Sequence, residues 1–490
     1  MPTIFNSKDS VFFVGGKGTK VGDWYAGGCT LSFWNNSLTL SDVMGTNGEP
    51  VSAADAWNGS GTACDISNNG GKVKLTKEGA FISCQAGLVA MLAFDTGEYS
   101  DGRFEVISCD DNSITVDLTY SPTGQTEGDA KVGGAFDNAQ NAWNDTDATN
   151  GYSVTIYSNK SQSKSNGDFT GTWNLGTAGG SFANKSFKRL CGFTTQPGDG
   201  GQITLDGEDD VGFIPFGGIR FNSAIANVIF ENIIVEDAFI NWSSGHADVY
   251  SIRFKNCEGN SCAGDGWALN VGRGFVLTGC KADGNSSNGF NVSSSSGTPG
   301  HCLINCIASN NTQQGFYRVG GYSGSIAIGC VAYGNGKGGT KYSGFSVYSN
   351  WGWGVVMNCV AYDNGKHGFE FYRYNPIVIN CIAKDNGQWG FYADISGSLM
   401  APYVAYCCAH SNSSGQFSLV GALPEQDSIE QDPQFVDAAN GDFRPRNPAV
   451  LRGGKPDISG NPTQMGVILQ KYQFGDRERI TNMARLRIVR

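Results

Sequence analysis

The sequence of 490 residues lacks several features that would assign it to a common class of protein. No apolar run approaches the roughly 18 residues that a membrane-spanning helix needs. Positive charge is scarce, because the chain has 34 Lys and Arg residues against 45 Asp and Glu residues, which gives a net charge of −11. That balance argues against nucleic acid as a partner, since binding phosphates requires a basic face.

A secretory signal and a zinc motif are also missing. The first residues carry neither a basic segment nor an apolar one, and Met1 favours a protein that does not use the secretory route. The 15 cysteines include no Cys-x-x-Cys pair and have no clustered histidines beside them, so zinc is not expected. We expect free thiols that act as small buried apolar groups, with disulfides between stacked strands as the alternative.

What the chain does contain is a sixfold repeat, Cys-x-Ala-x-x-Asn followed by a Gly-Phe-like step, with successive cysteines 22 to 29 residues apart. A repeat of this length predicts a solenoid. The 70 glycines fit the many tight turns that such a fold requires. The cysteines of the six copies are Cys280, Cys306, Cys330, Cys359, Cys381 and Cys407. The asparagines are Asn285, Asn311, Asn335, Asn364, Asn386 and Asn412. The phenylalanines are Phe290, Phe316, Phe345, Phe369, Phe391 and Phe417.

No repeat holds a helical pattern of about ten residues, whereas short strand-like runs such as 303–307 and 378–382 recur. The pattern extends backward through Cys257 to Ile233, and an exchange of Cys for Ile predicts an apolar position rather than a reactive thiol. Residues 152–157 are expected to form the first strand of the solenoid. Before them, Phe136, Ala139 and Trp143 fall on one face of a predicted helix that would close its open end.

The repeats, together with residues 192–206 and the segments 432–437 and 441–444, resemble right-handed parallel β-helix proteins of the pectate-lyase-like superfamily. The resemblance covers about residues 135 to 445 and implies an all-β fold of about ten coils. We predict a small N-terminal β domain over 1–130, used for capping or attachment, and containing a hairpin across residues 110–112. The β-helix with its helical N-cap then occupies 131–425, and a C-terminal cap with a basic tail occupies 426–490.

One repeat departs from the others. The Cys-to-Phe distance is ten residues in five copies and 15 in the copy that begins at Cys330, where the excess lies within residues 336–341. This pattern predicts a turn that bulges outward while the strands keep their register, and solenoids often place function on such outgrowths.

Residues for sugar-cleaving chemistry are few. Glu370, Arg373 and Asp394 lie in adjacent coils and are the candidate catalytic cluster, with solvent-facing polar positions as the alternative interpretation. A turn rich in carboxylates is the candidate Ca²⁺ site, although acidic turns are common. Its residues are Asp206, Glu208, Asp209 and Asp210. No motif of the superfamily's lysine base or calcium shell matches this sequence.

Aromatic residues give the stronger signal, because many cluster in the coils around the long turn. Tyr and Trp present a flat apolar face with a polar edge, which suits sugar rings or a protein interface. Packing against loops is the alternative. The candidate glycan- or partner-binding residues are Tyr317, Tyr342, Tyr348, Trp351, Trp353, Tyr362, Tyr372, Tyr374, Trp389 and Tyr392.

These features favour a structural or adhesive protein, similar to a bacteriophage virion spike or fibre, that reaches the virion or the extracellular space after cytoplasmic assembly. Its expected partners are a polysaccharide or cell-surface glycan and further copies of itself, with a trimer as one alternative. No cofactor is expected to be required, and Ca²⁺ is the candidate ion. A non-enzymatic protein is favoured over a polysaccharide lyase or glycoside hydrolase. The third interpretation is a self-assembling surface or matrix protein.

Overall fold

The structure is a computed structural model and describes part of the chain. The described residues are 10–14, 28–30, 52–54, 64–81, 86, 88–94, 99, 102–122, 127–132, 143, 154–158, 161–163, 173–175, 187–193, 200–207, 218–221, 225–244, 249–292, 300–321, 324–349, 354–373, 376–394, 402–420, 427–457, 461 and 463–467.

Nine strands precede the repeats, and six of them close into a small antiparallel barrel in the order β6, β7, β8, β5, β4, β9 and back to β6. The predicted hairpin is confirmed, because β7 and β8 pair across Asp110 and Ser113. The strands are β1 (Ser10–Val14), β2 (Gly28–Thr30), β3 (Ser52–Ala54), β4 (Cys64–Asn69), β5 (Lys72–Thr76), β6 (Leu88–Phe94), β7 (Gly102–Asp110), β8 (Ser113–Thr119) and β9 (Glu127–Val132).

The rest of the strands build a parallel β-helix of ten coils, each coil contributing one strand to each of three sheets. Sheet 1 contains β10 (Val154–Ser158), β13 (Lys188–Gly192), β16 (Ile225–Glu231), β19 (Val249–Lys255), β22 (Val276–Thr278), β25 (Cys302–Ile304), β28 (Ile326–Ile328), β31 (Val355–Met357), β34 (Ile377–Ile379) and β37 (Tyr403–Ala405).

Sheet 2 contains β11 (Gln162–Ser163), β14 (Ile203–Asp206), β17 (Ile233–Glu236), β20 (Glu258–Asn260), β23 (Lys281–Asp283), β26 (Ile307–Ser309), β29 (Val331–Tyr333), β32 (Val360–Tyr362), β35 (Ile382–Lys384) and β38 (Cys408–His410). Sheet 3 contains β12 (Trp173–Leu175), β15 (Ile219–Phe221), β18 (Trp242–Ser244), β21 (Trp267–Ala268), β24 (Phe290–Asn291), β27 (Phe316–Gly321), β30 (Phe345–Ser349), β33 (Phe369–Arg373), β36 (Trp389–Asp394) and β39 (Gly415–Val420).

The barrel is joined to the solenoid through sheet 1. The strand predicted as the first of the solenoid is β10, and β1 pairs with it in parallel while also pairing with β2, which reaches β6 of the barrel. Tyr157, Cys191 and Phe193 of the first coils are buried in the same cluster as the barrel core. Of the predicted capping helix the structure describes Trp143, which is helical, buried and stacked 5.5 Å from Phe230.

Columns of identical residues form the core of the solenoid, as the repeat predicts. The repeat phenylalanines stack in register on sheet 3, with ring centroids 4.7 to 5.2 Å apart from Phe290 to Phe417. Cys257 occupies the position that Ile233 holds one coil earlier, and both are fully buried. All the described cysteine side chains are free thiols. Burial raises the pKa of the column thiols Cys257 and Cys280, so these behave as small apolar groups.

After the last coil the chain turns back along the outer face of sheet 2. A hairpin of β40 (Phe435–Asp437) and β41 (Asp442–Pro445) encloses a 3₁₀ turn at Ala438–Asn440, and helix α1 (Pro448–Arg452) follows. Phe443, Val450 and Met465 are buried against the outward residues Val360 and Ile382. Among the described residues, no helix has the length and apolar character that a membrane crossing needs.

Candidate functional site

The outer face of sheet 3 is built by the residues that alternate with the stacked phenylalanines. Because side chains alternate along a strand, an inward Phe places the next residue outward. The register sets Tyr348 beside Tyr372 and Glu370 beside Tyr392. With Tyr317 of β27 there are four tyrosines on this surface, one in each of the coils of β27, β30, β33 and β36, and all four are half-buried. We call this surface the tyrosine face, and its residues are Tyr317, Arg318, Tyr348, Tyr372 and Tyr392.

A β-bulge brings Arg318 onto this face. The register between β27 and β30 shifts after Phe316, so that Tyr317 and Arg318 together lie opposite Ser346. Arg318 adopts a φ of 58°, and bulges commonly re-aim side chains in this way. Its guanidinium carbon lies 4.9 Å from the ring centroid of Tyr317 and 5.4 Å from that of Tyr348. The arginine is exposed, so it adds a positive charge above two rings.

Glu370 lies at the centre of the tyrosine face and is 2% exposed. Its Oε2 accepts a hydrogen bond from Ser343 Oγ at 2.7 Å, and its Oε1 accepts one from the Tyr372 hydroxyl at 2.6 Å. The Lys366 ammonium, one turn before β33, forms an ion pair with the same Oε1. A buried carboxylate is therefore held by three donors from two adjacent coils.

The electrostatics of this group follow from those contacts. Burial alone would raise the pKa of Glu370, but the hydrogen bonds from Lys366, Tyr372 and Ser343 outweigh it and lower that pKa. Burial and the neighbouring carboxylate raise the pKa of Tyr372 well above its usual range. At neutral pH the site therefore contains an ionised carboxylate and a protonated phenol.

His367 lines one side of the same cluster. Its ring stacks on that of Tyr392 with centroids 4.3 Å apart, and its Nδ1 accepts a hydrogen bond from the backbone N–H of Trp389 at 3.2 Å. Since Nδ1 is an acceptor, the proton of the neutral ring is assigned to Nε2, which lies 3.8 Å from Glu370 Oε1. Burial lowers the pKa of His367 to about 4, so the ring is neutral near pH 7.

The position two residues before each stacked Phe, or before Trp267 one coil earlier, forms a ladder along the solenoid. Asp265 accepts the N–H of Asn288 at 2.9 Å, and Asn288 accepts the N–H of Gln314 at 3.3 Å. Ser343 accepts the N–H of His367 in the same manner at 3.4 Å. Asp265 and His367 share this column but lie four coils apart. Each of the two side chains accepts a backbone N–H of the next coil, Asp265 from Asn288 and His367 from Trp389.

The structure places the predicted aromatic residues in three different environments. Tyr317, Tyr348, Tyr372 and Tyr392 form the tyrosine face, and Trp389 adjoins it at the start of β36. Tyr342 is half-buried at the end of the long turn. Tyr362 lies on sheet 2, apart from the others, where its ring packs 5.4 Å from Phe443 and 5.9 Å from Phe435. Trp351, Trp353 and Tyr374 lie outside the described residues.

Of the candidate catalytic cluster, Glu370 is the residue whose surroundings the structure defines. Arg373 pairs with Ser349 and Asp394 with Val420 in the strand register, and their side chains lie outside the described part. The donors that hold Glu370 were not singled out from the sequence. Two sequence features could have indicated these donors: Ser343 lies just after the long turn, and Lys366 precedes Glu370 by four residues.

Of the candidate Ca²⁺ residues, Asp206 lies at the end of β14, opposite Glu236 of β17. Burial and the nearby carboxylates raise the pKa of Glu236, which indicates crowded negative charge. Glu208, Asp209 and Asp210 lie outside the described residues. Within the part of the chain that is described, no group of three or more His, Cys, Asp or Glu side chains could hold a metal ion.

Chemically, the tyrosine face offers flat rings around a fixed charged centre. A glycosidase uses two carboxyl groups, one on each side of the glycosidic bond that is cleaved. Among the described outward side chains of β27, β30, β33 and β36, Glu370 is the sole carboxylate, and its oxygens already accept three donors. Flat rings beside a fixed ionised carboxylate are groups that can stack on a ring-shaped ligand and accept its hydrogen bonds.

Comparison with known proteins agrees with this architecture. Residues 297–423 match the family model described as the right handed beta helix region. This chain is a right-handed parallel β-helix protein. A search of curated proteins gives no match.

Solved structures similar to this β-helix protein include pectate lyase Pel9A, at 13% identity and a TM-score of 0.48 over 66% of this chain and 89% of that one. A rhamnogalacturonan lyase is 14% identical, with a TM-score of 0.46 over 69% and 92% of the two chains. ORF18 of Geobacillus virus E2 is 17% identical, with a TM-score of 0.41 over 60% of this chain and 56% of that chain.

Proposed function

We propose that this β-helix protein is a structural and adhesive component of a virion, similar to a spike or fibre, that binds glycan through the tyrosine face. The observation that carries the proposal is the row of half-buried tyrosines around the buried Glu370. Each ring offers an apolar surface for stacking and a hydroxyl for hydrogen bonds, which matches the alternating chemistry of a sugar ring.

Rigidity supports a role in binding. The tyrosines stand on strands that pair on both sides, and Glu370 fixes the hydroxyl of Tyr372 at 2.6 Å. A surface that is already ordered loses little side-chain entropy when a ligand binds. Arg318 and Lys366 add positive charge at the edge and centre of the same surface.

The virion assignment draws support from two features of the chain. None of the thirteen described cysteines forms a disulfide, and eleven of them are buried, which suits folding in a reducing compartment. The N-terminal barrel is continuous with the first coil through β1 and β10, so a load on the barrel would pass directly to the solenoid. Virion genes beside the coding gene would support the assignment, and sugar-utilisation genes there would oppose it.

Glycan binding can be tested with a glycan array and quantified by calorimetry with the best ligand. We expect Tyr348→Ala and Tyr372→Ala each to weaken binding by at least tenfold, because each removes a ring from the middle of the face. Tyr250→Ala is the matched control, since Tyr250 is a half-buried tyrosine of sheet 1 that lies outside the tyrosine face. Unchanged affinity in both face variants, or equal loss in the control, would contradict the proposal.

A second candidate function is cleavage of an acidic or neutral polysaccharide at the same surface, and the grouping of Glu370 with Lys366, His367 and Tyr372 favours it. Incubation with polysaccharides would be followed by the ultraviolet absorbance of unsaturated products and by reducing ends. Turnover that Glu370→Gln abolishes would establish an enzyme. Binding without turnover would leave the adhesive function.

A further inference from the structure

His367 occupies a ladder position that other coils fill with side chains that do not titrate. Asn288 and Ser343 accept a backbone N–H of the next coil with an amide oxygen and a hydroxyl oxygen. His367 does so with Nδ1, which accepts from the backbone N–H of Trp389 at 3.2 Å. An acceptor without a titrating group is therefore enough for the ladder. The histidine adds a group whose hydrogen-bonding role depends on its protonation.

The His367 ring supports one residue of the tyrosine face. It is 2% exposed and lies parallel to the ring of Tyr392, with centroids 4.3 Å apart and an interplanar angle of 4°. Tyr392 is half-buried and lies beside Glu370 in the strand register. Because two rings stacked at this distance restrict one another, His367 helps to fix the position of Tyr392.

The electrostatic surroundings of His367 come from its own coil and the next one. Among the described side chains, the titratable groups around it are Lys366, which precedes it, Glu370 and Tyr372 on β33, and Tyr392 on β36. The Nε2 of His367 lies 3.8 Å from Oε1 of Glu370. That oxygen already accepts the Tyr372 hydroxyl at 2.6 Å and pairs with the Lys366 ammonium.

A second proton on the His367 ring changes both of its polar contacts. Nδ1 then carries a hydrogen and faces the backbone N–H of Trp389, so two donors meet where one hydrogen bond existed. The charged ring is also attracted to Glu370, where it competes with the Lys366 ammonium for the same oxygen. Both changes move the ring on which Tyr392 is stacked.

We propose that protonation of His367 controls the tyrosine face: the neutral ring holds Tyr392 in place for a glycan, and the protonated ring releases it. This inference rests on the proposed glycan binding and adds its regulation. Burial lowers the pKa of His367 to about 4, so the face is ordered near neutral pH and loosens as the pH falls towards that value. Glycan should therefore bind best near neutral pH and dissociate in acid.

Nuclear magnetic resonance of the full chain, with isotope-labelled histidine and tyrosine rings, tests this control without any glycan. The chain has four histidines, and His367→Asn assigns the signal of His367, while Tyr392→Phe assigns that of Tyr392. Asparagine is chosen because Asn288 already serves the ladder at this position. The titration covers the pH range in which circular dichroism shows a folded chain.

We expect the Tyr392 signal to move together with that of His367, with a midpoint at about pH 4, and to lose this movement in His367→Asn. A Tyr392 signal that stays constant while His367 titrates would overturn the proposal. So would a Tyr392 signal that moves equally in wild type and in His367→Asn.

Calorimetry with the array glycan that binds most tightly measures the effect on binding. With about half of His367 protonated at pH 4, wild-type affinity should be at least twofold lower at pH 4 than at pH 7. The ratio of the two affinities should approach one in His367→Asn. Ser286→Ala, at an exposed position of another coil, is the control and should keep the wild-type ratio.

The two measurements separate this inference from the proposed function. Equal wild-type affinities at the two pH values, or the wild-type ratio in His367→Asn, would refute the control by His367 while glycan binding stands. A Tyr392 signal that follows His367 in a protein that binds no glycan would refute the proposed function and would support the coupling between the two rings.

Discussion

Buried asparagines show how single residues stabilise the solenoid. Each repeat asparagine donates from Nδ2 to the Oδ1 of the next, at 2.8 Å from Asn311 to Asn335 and 3.0 Å from Asn335 to Asn364. The same Nδ2 also donates to a backbone carbonyl of the preceding coil, and each Oδ1 also accepts a backbone N–H. Gln416 ends the ladder by accepting from Asn412 at 2.8 Å. All the amide groups are thus used, which is what burial demands.

Asn364→Ala should destabilise the protein by about 3 kcal/mol, because it leaves donors of Asn335 and the carbonyl of Ala332 buried without their partner. The shift in thermal and urea midpoints measures this loss. Ser286→Ala, at an exposed position of another coil, is the control and should change stability by no more than about 0.5 kcal/mol. Similar midpoints for the two variants would show that the ladder is not stabilising.

Two buried histidines make the stability of the folded protein depend on pH. Burial lowers the pKa of both His301 and His367 from 6.5 to about 4. Between pH 6.5 and about 4 the unfolded chain binds more protons at these residues than the folded chain does, so stability is lost as the pH falls through that window.

We therefore expect the Tm of the wild type to fall between pH 6.5 and about 4, and His367→Gln to lessen the fall, because its side chain does not take up a proton. Differential scanning calorimetry across this range measures the effect. Ser413→Ala, at an exposed position without a titrating group, is the control and should keep the wild-type profile. Parallel curves for wild type and His367→Gln would refute the assignment.

At the scale of the elements, the long turn shows how the strands keep their register across an insertion. Residues 337–341 are exposed, while Val331 still pairs with Val360 and Phe345 with Phe369. The outward bulge expected from the sequence is therefore confirmed. Its end lies next to the site, because Ser343 donates to Glu370.

Deleting residues 337–341 should lower stability by no more than about 1 kcal/mol, because the cost of closing a loop depends weakly on its length and the exposed Lys337–Asp363 pair contributes little. The deletion leaves Asn-Gly-Tyr-Ser-Gly-Phe, the same frame as Asn-Gly-Lys-His-Gly-Phe at 364–369. Thermal unfolding with circular dichroism measures the change. Loss of the cooperative transition would mean that the turn supports the strands.

At the scale of the whole molecule there are two cores, one along the solenoid and one in the barrel that extends onto Tyr157, Cys191 and Phe193 of the first coils, and both contain cysteines. We expect a thiol reagent to label the half-exposed Cys109 and Cys302 in the native protein, together with whatever Cys29 and Cys84 contribute from outside the described side chains. In denaturant all 15 cysteines should react, and a reductant should leave the Tm unchanged. A titre below the thirteen described thiols would reveal disulfides.

The repeat alone was sufficient to predict the solenoid, its strands and its stacked columns, because each coil meets a copy of itself. The same periodicity placed Glu370 and the tyrosines near one another. It did not predict that Arg318 belongs to the tyrosine face, because a β-bulge determines where that side chain points. It also did not predict that Tyr362 lies apart from the other tyrosines, where it packs against the C-terminal hairpin.

The amino-acid sequence by itself determined the ten-coil architecture, the buried thiols and the asparagine ladder, all of which follow from local period and burial. Only the tertiary structure decided which outer surface the C-terminal segment covers. That outcome depends on where Phe443, Val450 and Met465 pack, which is against Val360 and Ile382 of sheet 2. Such a contact joins segments distant in sequence, and no local period encodes it.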